Sequence, residues 1–148
     1  MAIPPLNEYG WLSEGIHNCT LEEAAKQFGM FQGSDRRPLL WAKFVEFVRE
    51  AKACGLIDAI LMDGSFVTAE PTPNDIDLIL VVSANHDFSV DFQSSEYNVL
   101  SKRRVNQRFG FDLLVARVDS EEYRRYVEFF QQVRLEPMRK KGILRIQL

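Results

Sequence analysis

Two apolar runs, Ile57 to Met62 and Leu78 to Val82, stand on either side of Gly64-Ser65 and the segment Asp75-Ile76-Asp77. Both runs have the length of buried strands. The spacing predicts a strand that ends in a Gly-Ser turn, a loop broken by Pro71 and Pro73, and a second strand that opens with two aspartates. Side chains alternate along a strand, so Asp75 and Asp77 share a face about 7 Å apart, while Ile76, Leu78 and Leu80 take the other.

Two carboxylates beside a core repel each other and resist desolvation, so the pattern demands compensation. Hard divalent cations such as Mg²⁺ supply it, taking one or two carboxylates together with substrate phosphates. Gly64-Ser65 suits the phosphate half of such a site. Glycine allows close backbone approach, and N–H groups at the start of a turn or helix favour an anion.

Gly-Ser, nine residues, then Asp-hydrophobic-Asp-hydrophobic resembles the signature of the DNA polymerase beta-type nucleotidyltransferase superfamily. That superfamily carries a third carboxylate on a later strand, and Asp112 in Phe109-Gly110-Phe111-Asp112-Leu113-Leu114-Val115-Ala116 is its counterpart here. The motif covers under a third of the chain. Ile3-Pro4-Pro5-Leu6-Asn7, Gly10-Trp11-Leu12 and Gly142-Ile143-Leu144-Arg145-Ile146 are similar to a little-characterised bacterial subgroup of small nucleotidyltransferase-like proteins. The resemblance implies that Asp75 and Asp77 hold the metal that carries a nucleoside triphosphate. Asp77 and Asp112 would serve a second Mg²⁺ at the acceptor hydroxyl, with Gly64 and Ser65 at the β/γ-phosphates. Two such ions sit roughly 3.5–4 Å apart in sites that clamp an in-line phosphoryl displacement. The chain departs from the pattern after Ser65, where Phe66 to Pro71 has neither a second glycine nor a basic residue.

A chain of 148 residues, 46% hydrophobic and 26% charged, reads as one soluble globular domain with a proper core. The expected fold is α+β, a small mixed or antiparallel sheet flanked by helices and nucleotidyltransferase-like. Residues 1–55 would form an N-terminal arm and two helices packed on a catalytic core of residues 56–148. The net charge of −3 argues against general nucleic-acid binding. Cys19 and Cys54 have no metal spacing and read as reduced thiols. The chain has neither a signal-peptide pattern nor an apolar run near the ~18 residues of a membrane span, so a cytoplasmic protein is expected.

Pro4-Pro5, Gly10 and Gly15 make the first 18 residues an extended arm with turns. Thr20-Leu21-Glu22-Glu23 is a capping box for a helix reaching Phe28 and stopping at Gly29. A longer helix from about Pro38 to Cys54 turns Leu40, Trp41, Phe44, Val45, Phe47 and Val48 to the core. The pair resembles a helix-turn-helix, but its second member is long and apolar where a recognition helix is short and polar, so two packing helices are expected. Ser83 to Asp91, with His86, reads as a solvated turn. Ser94 or Ser95 would cap a helix running to about Arg108, bearing Lys102, Arg103, Arg104 and Arg108. Either these cations are solvated surface, or Lys102, Arg103 and Arg108 reach a triphosphate or a nucleic-acid backbone. Asp119-Ser120-Glu121-Glu122 opens a helix whose Tyr123, Tyr126, Val127, Phe130 and Val133 face inward and which Pro137 ends; Ile143 to Ile146 form a last strand.

Separately, each acid has a plain alternative: Asp63 and Asp75 as turn residues, Asp112 as an ion-pair partner of Arg103 or Arg108. Together they point to a Mg²⁺-dependent nucleotidyltransferase that moves a nucleoside monophosphate from an NTP to a hydroxyl of a protein, a tRNA end or a small molecule. By resemblance, such minimal proteins work in toxin–antitoxin or phage-defence pairs, which implies a partner protein. Arg103, Arg104, Arg108, Arg139, Lys140 and Lys141 could form a local basic patch. The alternative is a non-catalytic regulatory or antitoxin module that binds a nucleotide or a protein on the same fold. A metal-independent hydrolase is disfavoured, since His17 and His86 lack an evident Ser or Cys partner.

Overall fold

Thr20 closes the capping box that its position predicts. Its hydroxyl accepts the Glu23 N–H at 3.1 Å, and Glu23 Oε1 accepts the Thr20 N–H at 2.9 Å. The computed structural model describes residues 3–30, 33–83, 94–133 and 136–148. The Thr20 cap starts α1 (Leu21–Phe28), which packs beside α2 (Arg36–Cys54). The α2 helix begins two residues before Pro38 and buries Leu40, Phe44, Phe47, Val48 and Ala51. Val45 faces outward instead, 38% exposed, so the inward stripe is narrower than its apolar residues imply.

Five strands form one sheet in the order β1 (Gly15–Cys19), β7 (Gly142–Gln147), β2 (Ile57–Asp63), β3 (Asp77–Val82), β4 (Asp112–Arg117). The outer pairs β1·β7 and β3·β4 are parallel, and the inner pairs β7·β2 and β2·β3 are antiparallel. The architecture is α+β with a mixed sheet. One face, bearing Ile60, Met62, Leu78, Leu80 and Leu144, packs against Phe28, Phe44, Phe47, Val105 and Phe109 of the helices. The other face, bearing Leu61, Ile79, Val81, Ala116 and Ile143, is covered by Val127 and Phe130 of α5 (Glu121–Gln131).

Three expectations about elements change. The extended arm ends in a true strand, β1, whose pairing with the far end of the chain leaves no local signal. The helix expected from Ser94 or Ser95 to Arg108 is two helices, α3 (Ser94–Leu100) and α4 (Lys102–Phe109). Ser101 separates them with extended backbone, and its hydroxyl accepts the Arg104 N–H at 3.3 Å. In one straight helix Val99 and Val105 would lie about 120° apart around the axis; the break lets both reach the core, each 0% exposed. Finally, α5 stops at Gln131, well short of Pro137, and Pro137 lies within β6 (Glu136–Lys140), which pairs with the short β5 (Gln132–Val133). Proline is tolerated there because a two-stranded ribbon is all edge.

The arm before β1 is tied down. Asn7 Oδ1 accepts the N–H groups of Tyr9 and Trp11, Trp11 bridges to Thr68, and the Ala69 N–H donates to the Gly10 carbonyl at 2.8 Å. His17 places a ring nitrogen 2.7 Å from the Ser13 carbonyl. His86 falls outside the described residues. Both cysteines are free, and burial, reinforced by Glu23, pushes the Cys19 thiol up to about 11. Among the described residues no helix is long and apolar enough to cross a membrane.

Candidate functional site

Strand register builds the site. Asp63, the last residue of β2, pairs with Asp77, the first of β3, and Asp77 pairs with Asp112, the first of β4. Directly paired residues share a face, so three carboxylates stand abreast across three strands. Their face is the one that carries Leu61, Ile79 and Ala116. Asp63 is therefore a site residue and not a turn residue. It is 5% exposed, and the Lys141 ammonium lies 2.7 Å from its Oδ1.

Asp75 stands elsewhere than expected, because β3 opens at Asp77 and leaves Asp75 in the preceding loop. There it closes on the Gly-Ser turn. The N–H of Ser65 (3.2 Å) and its hydroxyl both donate to Asp75 Oδ1. In return the Ser65 oxygen accepts the N–H groups of Asn74 and Asp75 at 3.1 and 3.3 Å. Gly64 is required for this closure. Its φ is +96°, and a Cβ there would stand 2.9 Å from the Asp75 carbonyl oxygen and 3.2 Å from the Asp77 nitrogen. The N–H and hydroxyl of Ser65, expected to meet a phosphate, thus hold a carboxylate of the same chain.

The loop after Ser65 is fixed from below by Arg37, a wholly buried residue of α2. Its guanidinium donates to the carbonyls of Phe66, Thr68 and Glu70, each at 2.6 Å, and of Phe28 at 3.1 Å. It also lies 5.3 Å from the Phe66 ring centroid and 6.0 Å from that of Phe28. Its Nε is the one buried side-chain nitrogen or oxygen without a partner among the described residues. A buried cation held by carbonyls alone is costly, and its return is a fixed path for the loop.

Electrostatics centre on Asp77. Burial, then the charges of Asp75, Asp63 and Asp112, push its carboxyl up to about 6, with Lys141 pulling the other way. Burial also raises Asp63, against the pull of Lys141. Asp112 is exposed; its partner is the Asn106 amide at 3.4 Å, not the ion pair with Arg108 that its sequence context allows. Arg108 instead forms a two-pronged contact with Glu50 of α2, both distances 2.7 Å, so it is turned away from the carboxylates. Lys102 lines the cleft, while Arg103 is exposed on α4. The expected basic patch is dispersed: Arg104 donates to Asn98, Arg139 stacks 4.1 Å over Tyr9, and Lys141 belongs to Asp63.

Asp63, Asp77, Asp112, Lys102, Lys141 and Gln132 form the polar lining of a cleft of about 720 Å³, and Leu114, Phe129, Phe130 and Val133 are among its apolar lining. Among the described residues no three His, Cys, Asp or Glu side chains are grouped as metal ligands. Three carboxylates line the cleft, the chemistry that a hard cation takes, beside two lysines and Gln132. Asp75, Asp63 and Asp112 each disfavour the charged form of Asp77. A model of the family of unknown function DUF6932 matches residues 4–147. The chain belongs to the DUF6932 family. No curated protein and no solved structure matches this DUF6932 protein.

Sequence reasoning missed Asp63, Lys141 and Phe129 as lining residues of the DUF6932 cleft. Asp63 carried a signal: it shares parity with Ala59 and Leu61, as Asp77 does with Ile79 and Val81. Lys141 carried none, since its place depends on β7 entering the sheet beside β2.

Proposed function

We propose that this protein is a Mg²⁺-dependent nucleotidyltransferase that acts on a nucleoside triphosphate and a hydroxyl acceptor. The observation that carries the reading is the row of carboxylates at the cleft, with Asp77 at its centre pushed up to about 6. Asp75 and Asp77 would hold the ion that carries the triphosphate, and Asp77 with Asp112 the second. Bound Mg²⁺ would supply charge neutralisation and a lowered pKa for the acceptor hydroxyl. Lys102 lines the cleft and would meet a phosphate. Ser65 meets one only after Asp75 lets go of it, so loading of the site exchanges the Ser65–Asp75 contact for two new ones. In the transfer, the acceptor oxygen bonds to the α-phosphorus as the α–β anhydride bond breaks. Pyrophosphate leaves, and the hydroxyl proton passes to solvent. The protein contributes position and charge.

The acceptor class is a protein side chain, a tRNA end or a small hydroxylated molecule, and the resemblance suggests a toxin–antitoxin or phage-defence setting in the cytoplasm. A second reading, a non-catalytic module binding a nucleotide or a protein, draws on one observation. Ser65 with Asp75, and Lys141 with Asp63, satisfy much of the site internally. Incubation with each α-labelled NTP and Mg²⁺, with and without cell extract, separates the two. Label on a macromolecule or small molecule that disappears in Asp77→Asn is the expected result. Mg²⁺-dependent nucleotide binding without transfer would favour the module, and absence of both would end the nucleotide reading.

A further inference from the structure

Phe129 is out of place for a core residue. It sits in the last turn of α5, one position off the stripe formed by Tyr126, Val127 and Phe130. Its ring is 63% exposed and lines the carboxylate cleft, with the Phe130 centroid 6.3 Å away. A phenylalanine largely exposed within a cleft offers an apolar face to a ligand there. The cleft is divided chemically. Asp63, Asp77, Asp112 and Leu114 come from the sheet and Lys102 from α4, while Phe129 and Phe130 come from α5 and Gln132 and Val133 from β5, with Lys141 between the two sets through its N–H bond to the Gln131 carbonyl. Its volume of about 720 Å³ is that of a small-molecule site. A ligand matching both parts is a flat, weakly polar ring joined to a strongly anionic tail.

We infer that the α5–β5 end of the cleft is the base subsite, with the nucleobase stacked on Phe129 and its edge reaching Gln132. The inference rests on the nucleotide reading above and fixes the substrate's direction: base toward α5, phosphates toward Asp77 and Lys102. Stacking on one aromatic face accepts every base, because every base has a π-face. Gln132 offers both a donor and an acceptor and can adapt to different edges. Base selectivity should therefore be weak, and the loss of Phe129 should weaken all four triphosphates alike.

The test is calorimetric titration of wild type, Phe129→Ala, Phe129→Trp and Asp77→Asn with Mg·ATP and with Mg·tripolyphosphate, which lacks a base. The exposure of Phe129 lets both of its variants fold, which thermal melts would check. The expected result is that Phe129→Ala weakens ATP about tenfold, leaves tripolyphosphate unchanged, and is rescued by Phe129→Trp. The inference is overturned, with the nucleotide reading intact, if Asp77→Asn abolishes ATP binding while Phe129→Ala leaves it unaltered. It is equally overturned if wild type binds ATP no tighter than tripolyphosphate. Wild type that binds neither would overturn the nucleotide reading and the subsite with it.

Discussion

Asp77 shows how one side chain sets a condition on the whole protein. Its carboxyl is raised to about 6, above the roughly 3.9 of an unfolded chain. The folded state therefore keeps its proton to higher pH. Stability from this residue is full below about pH 4, falls as pH rises through 6, and is flat beyond. Asp77→Asn removes the loss, so the variant should exceed wild type by about 1–3 kcal/mol at pH 8, nearer the lower figure because Asp77 is partly solvated. The gap should close toward pH 4. Denaturant unfolding across that range measures it, and a variant less stable than wild type at pH 8 would contradict the repulsion. Added Mg²⁺ should narrow the gap at pH 8 by stabilising wild type alone.

Elements divide into those whose ends are written locally and those set by distant partners. The α1 cap, the Gly64 turn and the parity of Ile76, Leu78 and Leu80 are readable because one residue's chemistry decides each. The break at Ser101 was readable in principle, as serine is a good N-cap, but the run of helix-forming residues around it hid the signal. Ser101→Ala should cost about 0.5–2 kcal/mol in thermal unfolding, as other lost caps do. A stability gain would mean that α3 and α4 prefer to merge. The scattering of the basic patch has the same origin. Spacing places Arg104 and Arg108 on one helix, but only the packing of α2 against α4 gives Arg108 to Glu50.

At the scale of the molecule, the sheet order joins what the sequence keeps farthest apart. The last strand lies between the first and the second, and it delivers Lys141 to Asp63 across 78 residues. This long-range closure leaves no local trace, so Lys141 was not legible, whereas Asp77 and Asp112 were. Lys141→Met strands a buried carboxylate and should destabilise by about 3–5 kcal/mol at pH 8, whereas Asp63→Leu with Lys141→Met should recover most of that. Chemical denaturation of the two variants provides the comparison; equal losses would show that the ion pair is not the unit that matters.

Arg37 hydrogen-bonds the loop through main-chain oxygens, with the Phe66 ring beside its guanidinium. The path of that loop is inherited from a helix, and no side chain of the loop is needed as a hydrogen-bond partner of the guanidinium. Its outward residues, Pro71 and Thr72 among them, are thereby released to vary while the path of the loop stays constant. Within the family, the arginine should be slow to change, and the exposed tip of the loop it holds should change faster.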